Sequence, residues 1–154
     1  MSVFERLVEK LSAGGVAFHV TKHEPMGKSE EVARMRGVAL ETGAKAIVLT
    51  GSKTKQHYLF VIPANLRMDS KKVKQHVGEN TSFASDVEAI TGCVPGAVPP
   101  FGSVVGLKTY LDPKLGHSEE INFNAGSLTD SIRMRYEDYV RVEQPELVDV
   151  TQEQ

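Results

Sequence analysis

The sequence lacks the features that would place it in an oxidising compartment or in a membrane. Cys93 is the one cysteine, so no internal disulfide can form, which is typical of a protein kept in a reducing compartment. No apolar run approaches the roughly 18 residues that a membrane span requires. The N-terminus, MSVFERLVEKL, is amphipathic and charged, without the apolar core of a signal peptide. We therefore expect a cytoplasmic protein with no membrane partner.

Signatures of the common catalytic sites are also missing. The sequence contains no P-loop, no GxGxxG, no HExxH, no paired CxxC and no GxSxG. His19 and His23 lie four residues apart, but a strand running into a turn does not bring both rings to one metal ion, and no third ligand is near. The sequence therefore predicts neither a metal site nor a cofactor.

The formal net charge of −2 argues against a protein that binds nucleic acid through its overall charge. The charge is uneven, however: seven lysines and arginines and two acidic residues lie between Gly43 and Asn80, whereas three arginines and nine acidic residues lie from His117 onward. The basic middle either meets a few phosphates, with weak and salt-sensitive binding, or is an ordinary solvated surface.

Hydrophobic periodicity predicts one α/β domain over residues 1–154, without repeats or linkers. Helices are predicted at 3–11, 29–43, 69–77, 85–90 and 137–142, with Ser29 and Ser85 as two of the N-caps. Extended segments are predicted at 16–21, 44–50, 56–64, 82–84, 103–107, 109–111, 120–124, 131–136 and 147–150. Residues 44–50 and 56–64 form a central hairpin. The expected fold is a mixed, mostly antiparallel sheet or a partly closed barrel surrounded by helices.

The stretch from Thr91 to Gly102, TGCVPGAVPPFG, cannot be the interior of a helix or strand. Its three prolines and three glycines remove backbone donors, fix several φ angles and allow positive φ elsewhere. The apolar Val94, Val98 and Phe101 can anchor such a loop to a core. The segment is therefore interpreted as the wall of a binding site, the alternative being a rigid surface connection.

Two residues suggest chemistry. Lys45 begins an otherwise apolar strand, so its side chain either reaches along the sheet edge to water or enters a cleft and meets an anionic or carbonyl oxygen. Cys93 is either a nucleophile in the shaped loop or a small buried apolar residue, and no histidine base is evident beside it.

Four segments together resemble the YbaK/prolyl-tRNA-synthetase editing-domain family over about residues 29–150. They are GAKAIVL around Lys45, YLFVIPAN with the downstream LRMDSKKVKQHVG, GCVPGAVPPFG, and INFNAGSLTDSIRM. The resemblance implies a mixed α/β fold and hydrolysis of aminoacyl-tRNAs that carry the wrong amino acid. Members act within a synthetase or free-standing in trans, as a chain this short would.

The resemblance also implies the site. Lys45 matches the family's functional lysine, and Gly96 and Pro100 bound its Gly-Xaa-Xaa-Xaa-Pro loop. We expect these three residues to be catalytic. The expected substrate-binding residues are Ala97, Val98, Pro99, Phe101, Gly102, Asn124, Ala125 and Gly126.

Asn124 stands where some branches of the family carry a histidine, which leaves the amino acid removed open. Backbone N–H groups of a rigid, glycine-containing loop can stabilise the developing oxyanion, and we expect this of the loop from Gly96 to Pro100. The resemblance further implies that a hydroxyl of the terminal adenosine helps to position or activate the water. The implied partner is the acceptor end of a mischarged tRNA, selected either directly or through a partner synthetase. A binding module for the acceptor end or a small metabolite, without hydrolysis, and a cysteine-dependent hydrolase remain the alternatives.

Overall fold

The computed structural model describes residues 1–25 and 29–153, and in Ser29 only the backbone. Within these residues the α-helices are α1 (Val3–Ala13), α2 (Ser29–Arg36), α3 (Ser70–Val77), α4 (Val87–Thr91) and α5 (Tyr136–Glu143). The strands are β1 (Phe18–Lys22), β2 (Ala44–Gly51), β3 (His57–Pro63), β4 (Thr81–Phe83), β5 (Thr109–Leu111), β6 (Glu120–Asn124), β7 (Asp130–Arg135) and β8 (Glu146–Leu147).

The strands of the described chain form two sheets. One is antiparallel with the order β1-β7-β6, and the other has the order β4-β2-β3-β5-β8. In the second sheet β2 pairs antiparallel with β3 and β4, whereas β5 runs parallel to β3 and to β8. The predicted α/β class with a mixed, mostly antiparallel arrangement and a central hairpin is confirmed. Within the described residues the strands do not close into a barrel: they divide between two sheets, which an isolated bridge from Gly43 to Asn122 links.

Capping residues set the ends of the helices. Ser2 and Glu5 form a reciprocal capping box at the start of α1, which satisfies two backbone donors that the helix leaves free. Asp69 accepts hydrogen bonds from the first backbone amides of α3, and Gly78 ends that helix at φ +84°. The start of α1 and the end of α3 match the predicted boundaries, whereas α1 extends two residues further, to Ala13, and α3 begins one residue later, at Ser70.

Three local predictions were wrong. The helix predicted over 29–43 ends at Arg36, because Gly37 takes a φ of +68°, and a separate 3-10 turn follows at Leu40–Thr42. Residues 103–107 are not a strand: a 3-10 turn at Gly102–Val104 is held by hydrogen bonds back to Phe101 and Gly102. Asp86 rather than Ser85 caps α4. The predicted Ser29 cap lies outside the described side chains.

The five-stranded sheet separates two apolar clusters. The larger cluster packs α1, α5, the 91–105 segment and the three-stranded sheet against one face, and includes Leu7, Leu11, Leu59, Phe101, Phe123 and Tyr139. The smaller cluster packs α3 against the other face, with Phe60 and Tyr110 stacked at 4.9 Å between ring centroids. Fully burying one such aromatic side chain stabilises the fold by about 2 to 3 kcal/mol.

A cluster of ion pairs fixes the segment after β8. The carboxylate of Asp112 is fully buried and accepts hydrogen bonds from the backbone N–H of Val150 (3.0 Å) and the hydroxyl of Thr151 (2.8 Å). Beside it, Asp149 pairs with Lys114 at 2.7 Å and with Lys72 at 3.1 Å. The segment that follows β8 is therefore tied to β5 and α3 by charge as well as by backbone pairing.

Among residues 1–25 and 29–153, no helix has the length and apolar character that crossing a bilayer requires.

Candidate active site

A cleft of about 640 Å³ lies along the open edge of β2. β4 pairs with β2 only at residues 49–51, and at the other end Gly43 bridges Asn122 of β6. Between these two contacts, residues 43–48 line the cleft. The cleft therefore occupies the gap between the two sheets.

Lys45 lies on the floor of this cleft. It sits on β2 opposite Ile62 of β3, and it is exposed although its strand partner is buried. The exposed side chain thus lies in the cleft, at the stretch of β2 that no neighbouring strand covers.

The stretch from Thr91 to Gly102, here called the Pro/Gly loop, forms one wall of the cleft through Pro95, Gly96 and Val98. Gly96 has a φ of +88°, a conformation that side-chain-bearing residues rarely adopt. The N–H of Ala97 is bonded to the carbonyl of Val94 at 3.0 Å, whereas the N–H groups of Gly96 and Val98 have no hydrogen-bond acceptor among the described residues. Among the loop residues that line the cleft, Gly96 and Val98 therefore have backbone donors left for a ligand.

The remaining loop residues lie behind that wall. Pro99 and Phe101 are buried, and the ring of Phe101 contacts Phe123 and Tyr139 at centroid distances of 5.6 and 5.0 Å. The carbonyl of Pro100 accepts a 2.7 Å hydrogen bond from the Tyr139 hydroxyl. The N–H of Gly102 donates to Thr109 Oγ1, and a Cβ at Gly102 would lie 2.2 Å from the carbonyl oxygen of Leu107. These residues fix the loop without lining the cleft.

The predicted Asn124-Ala125-Gly126 segment contributes one side chain to the cleft. Asn124 lines it, and its Nδ2 donates to the carbonyl of Gly96 at 2.6 Å. Ala125 is fully buried, and the N–H of Gly126 donates to the carbonyl of Ala97 at 2.9 Å. Gly126 has a φ of +91°, and a Cβ there would approach the Phe4 N–H nitrogen to 3.0 Å. The segment thus holds the loop from behind.

Sequence reasoning missed Arg36, which closes the cleft at the end of α2. Its guanidinium donates to Asn122 Oδ1 at 2.6 Å, to Asn124 Oδ1 at 2.8 Å, and to Ser131 Oγ from both Nε (3.0 Å) and Nη2 (2.6 Å). Because both amide oxygens face the arginine, the amide nitrogens of Asn122 and Asn124 face Thr42 and Gly96. Arg36 therefore determines which way the two amides present their donors.

Burial lowers the pKa of Arg36 to about 10, so the group stays charged at neutral pH. One sequence signal exists for it, an arginine in the last helical turn before a helix-ending glycine, but the same pattern commonly serves the helix dipole alone.

The side chains that line the cleft carry charge of one sign. Arg36, Lys45 and Arg67 are cationic, and no aspartate, glutamate, histidine or cysteine is among the lining residues in the described chain. None of these three cations forms an ion pair within 4 Å among the described residues. A cleft of this kind attracts an anionic ligand and offers no side-chain base or thiol for chemistry.

Cys93 lies away from the cleft. It is 1% exposed, packs in the larger apolar cluster, and its thiol donates a long hydrogen bond of 3.9 Å to the Thr91 carbonyl. Burial raises the pKa of this thiol. The geometry favours the small apolar role over the nucleophile.

The two histidines weighed as ligands are also separate. His23 contacts Ser131 Oγ through Nε2 and the Glu24 carbonyl through Nδ1, while His19 is exposed on β1.

The fold, the cationic cleft and the Gly-Xaa-Xaa-Xaa-Pro wall agree with one class of protein. The sequence profile of the aminoacyl-tRNA editing domain matches residues 23–142, and the chain belongs to that family. It is 43% identical over 150 residues, covering 94% of this chain and 90% of the relative, to the multifunctional Ser/Thr-tRNA deacylase ProXp-y of Escherichia coli (strain K12).

A more distant relative is the prolyl-tRNA editing protein ProX of Acetoanaerobium sticklandii, 22% identical over 92% of this chain and 91% of the relative. A solved structure described as a candidate trans-editing enzyme for prolyl-tRNA synthetase superposes with a TM-score of 0.84 at 24% identity, covering 99% of both chains. At that identity the superposition shows the shared fold.

Proposed function

We propose that this protein hydrolyses the ester bond of mischarged aminoacyl-tRNA in trans, and that the cleft along β2 is the active site. The observation that carries the assignment is the meeting of Lys45, Asn124 and the two free N–H groups of the loop in one cationic cleft. An aminoacyl ester at the end of a polyanionic strand matches that arrangement.

In the proposed reaction a water oxygen attacks the ester carbonyl carbon, and the bond from that carbon to the ribose oxygen breaks. The proton of the water ends on the ribose oxygen, which gives free amino acid and tRNA with a free hydroxyl. The N–H groups of Gly96 and Val98 stabilise the negative charge that develops on the carbonyl oxygen. One such donor contributes on the order of 10² to 10³ in rate.

Lys45 and Arg36 have different roles in this proposal. Lys45 reaches the substrate and holds its phosphate or ester end, whereas Arg36 acts through Asn124, which holds the carbonyl of Gly96 and so directs the loop. Pro95, Pro99 and Pro100 restrict the loop before the substrate arrives, so little ordering is needed at the moment of reaction.

The first amino acids to test are serine and threonine, because the relative named Ser/Thr-tRNA deacylase shares 43% identity across nearly the whole chain. Editing of similar amino acids has a physical reason: a synthetase pocket gains only about 1 to 3 kcal/mol per methylene, which limits its discrimination. The polar amides of Asn122 and Asn124 suit a hydroxyl-bearing side chain.

The test is a deacylation panel with alanine, serine, threonine, cysteine and proline on tRNAs for proline, cysteine, alanine and threonine. We expect turnover of at least one seryl or threonyl ester and a loss on the order of 100-fold in Lys45→Ala, the size of effect for one positioned charged donor. Lys74→Ala is the control, because Lys74 is exposed and lies outside the cleft. Equal rates for both variants would remove Lys45 from the mechanism.

Because no aspartate, glutamate or histidine is among the lining residues of the described chain, the test also considers a module that binds the acceptor end without hydrolysis. Retention of intact aminoacyl-tRNA, with no turnover for any member of the panel, would identify that function instead. A cysteine-dependent hydrolase predicts that Cys93→Ser abolishes turnover, and the burial of Cys93 argues against it.

A further inference from the structure

Phe83 is an aromatic side chain left open to solvent at the rim of the cleft. It is 75% exposed, the highest value among the large apolar residues of the described chain, and it lines the same cleft as Lys45. Its backbone is held on both sides, by pairing with Leu49 of β2 and by the 3.0 Å hydrogen bond from Ala84 to Val48. Both contacts are to β2, so the backbone that carries the ring is anchored to one strand, and the ring itself is left largely exposed to solvent.

The surroundings of Phe83 restrict what can cover it. An exposed apolar residue alone says little, since such residues are common on protein surfaces. Here, however, the same cleft carries three cations and no carboxylate. An unpaired nucleic acid strand alternates flat bases with anionic phosphates, and proteins bind such strands by pairing aromatic stacking with basic side chains.

We propose that Phe83 is a stacking platform for a nucleobase in the unpaired 3′ end of the tRNA, with Lys45 and Arg67 meeting the adjoining phosphates. The inference rests on the function proposed above and adds a contact to the nucleotide that is separate from the contacts to the ester. Phe83 binds substrate and takes no part in bond breaking, so its loss affects binding more than the chemical step.

Binding is tested directly with Phe83→Trp. The sequence contains no tryptophan, so the new indole is the one tryptophan reporter in the protein. We expect saturable quenching of its fluorescence by AMP and by a CCA trinucleotide, and none by ribose 5-phosphate, which lacks the base. Equal quenching by AMP and ribose 5-phosphate, or none by any of these ligands, would overturn the proposal.

Turnover supplies the second test. Stacking on an aromatic side chain corresponds to roughly 5- to 150-fold in affinity per base, so Phe83→Ala should raise KM on the order of 10-fold with kcat nearly unchanged. Phe83→Tyr should retain the wild-type KM, and Phe83→Leu, apolar but not aromatic, should behave like Phe83→Ala. Leu147→Ala is the control, since Leu147 is 54% exposed and lies outside the cleft.

The two proposals fail differently. Normal hydrolysis with an unchanged KM in Phe83→Ala would reject the stacking platform and leave the deacylase intact. Base-dependent quenching without hydrolysis of any charged tRNA would support the platform and reject the deacylase. A wild-type KM in Phe83→Leu would show that apolar contact suffices, against stacking.

Discussion

Charged side chains form ion pairs around the segment after β8, whereas the cations that line the cleft have no acidic partner among the described residues. Around that segment, Lys72 and Lys114 pair with Asp149, and Lys108 pairs with Glu146 at 2.8 Å. In the cleft, Arg36, Lys45 and Arg67 line one surface with no acidic side chain among them. The two regions use the same kinds of residue, and only one of them is neutralised within the described chain.

This difference separates charges that serve the fold from charges that serve a ligand. Ion pairs near the surface contribute little each, but together with buried acceptors they fix a segment. Unneutralised cations gathered in one cleft repel each other and are a cost to the folded state, which an anionic substrate offsets when it binds. We therefore expect changes after β8 to alter stability, and changes in the cleft to alter activity.

The largest effect should come from removing the buried acceptor of the segment after β8. Asp112→Ala leaves the Val150 N–H and the Thr151 hydroxyl without their partner, which should lower the free energy of unfolding by about 3 kcal/mol. Urea denaturation measures this change. Asp149→Ala, at an exposed carboxylate, should lower the free energy of unfolding by well under half as much. An equal loss in both variants would show that the buried acceptor is no more important than the exposed ion pair.

The next largest effect should come from weakening the hydrogen bonds that the Arg36 guanidinium donates to Asn122, Asn124 and Ser131. Arg36→Lys keeps the charge but cannot reach Asn122, Asn124 and Ser131 together, so kcat/KM for deacylation should fall roughly 10-fold, with Arg36→Gln lower still. Arg34→Lys, at an exposed position on the same helix, is the control. Full activity in Arg36→Lys would show that the positive charge alone matters and that the orientation of the two asparagine amides does not depend on the guanidinium hydrogen bonds.

A smaller effect is expected from giving the cleft the carboxylate it lacks. Ser85 is exposed and lines the cleft, so Ser85→Glu should raise KM about 3- to 10-fold, and added salt should reduce the difference from wild type. Ser82→Glu places the same charge on β4 outside the cleft. If both variants raise KM equally, general repulsion rather than the cleft explains the result.

The smallest effect is a pH dependence at Asp149. The hydrogen bond from Lys114 lowers the pKa of this carboxyl to about 2, from 3.8. Its stabilising contribution is therefore fully present above pH 3.8 and is lost as the pH falls through about 2. Because the side chain is 52% exposed, solvent screening reduces this contribution to about 0.5 kcal/mol.

Thermal unfolding of wild type and Asp149→Asn from pH 5 to pH 2 measures that contribution. The wild type should be the more stable protein at pH 5, and the gap should close by pH 2. A gap that stays constant with pH would assign the difference to packing.

Local sequence rules predicted the elements whose signals are local. Helix α3, predicted over 69–77, and the hairpin of β2 and β3 follow from residues a few positions apart. Periodicity could not show that the strands divide between two sheets, because that depends on Phe18 pairing with Met134. It also failed at residues 103–107, where Val104, Val105 and Leu107 suggested a strand but hydrogen bonds to Phe101 and Gly102 form a 3-10 turn.

The same limit applies to the cleft. The motif resemblance singled out Lys45, Gly96, Val98 and Asn124, all of which line it. It also included Phe101, Gly102 and Ala125, which lie in the core, because a contiguous motif does not distinguish a residue that faces the cleft from one that holds its neighbour. Arg36 and Phe83 were missed because each is brought to the cleft by contacts with residues far away in the sequence.

The hydrogen bonds of Arg36 also bear on the order of folding. They span 86 to 95 residues of sequence, and contacts of such separation form slowly because a long loop must close first. The hairpin that carries Lys45 can pair as soon as residue 63 is available, whereas the wall that contains Asn124 waits for β7. During synthesis on the ribosome, the hairpin that carries Lys45 would therefore form early, and the complete cleft would form only after β7 has been made.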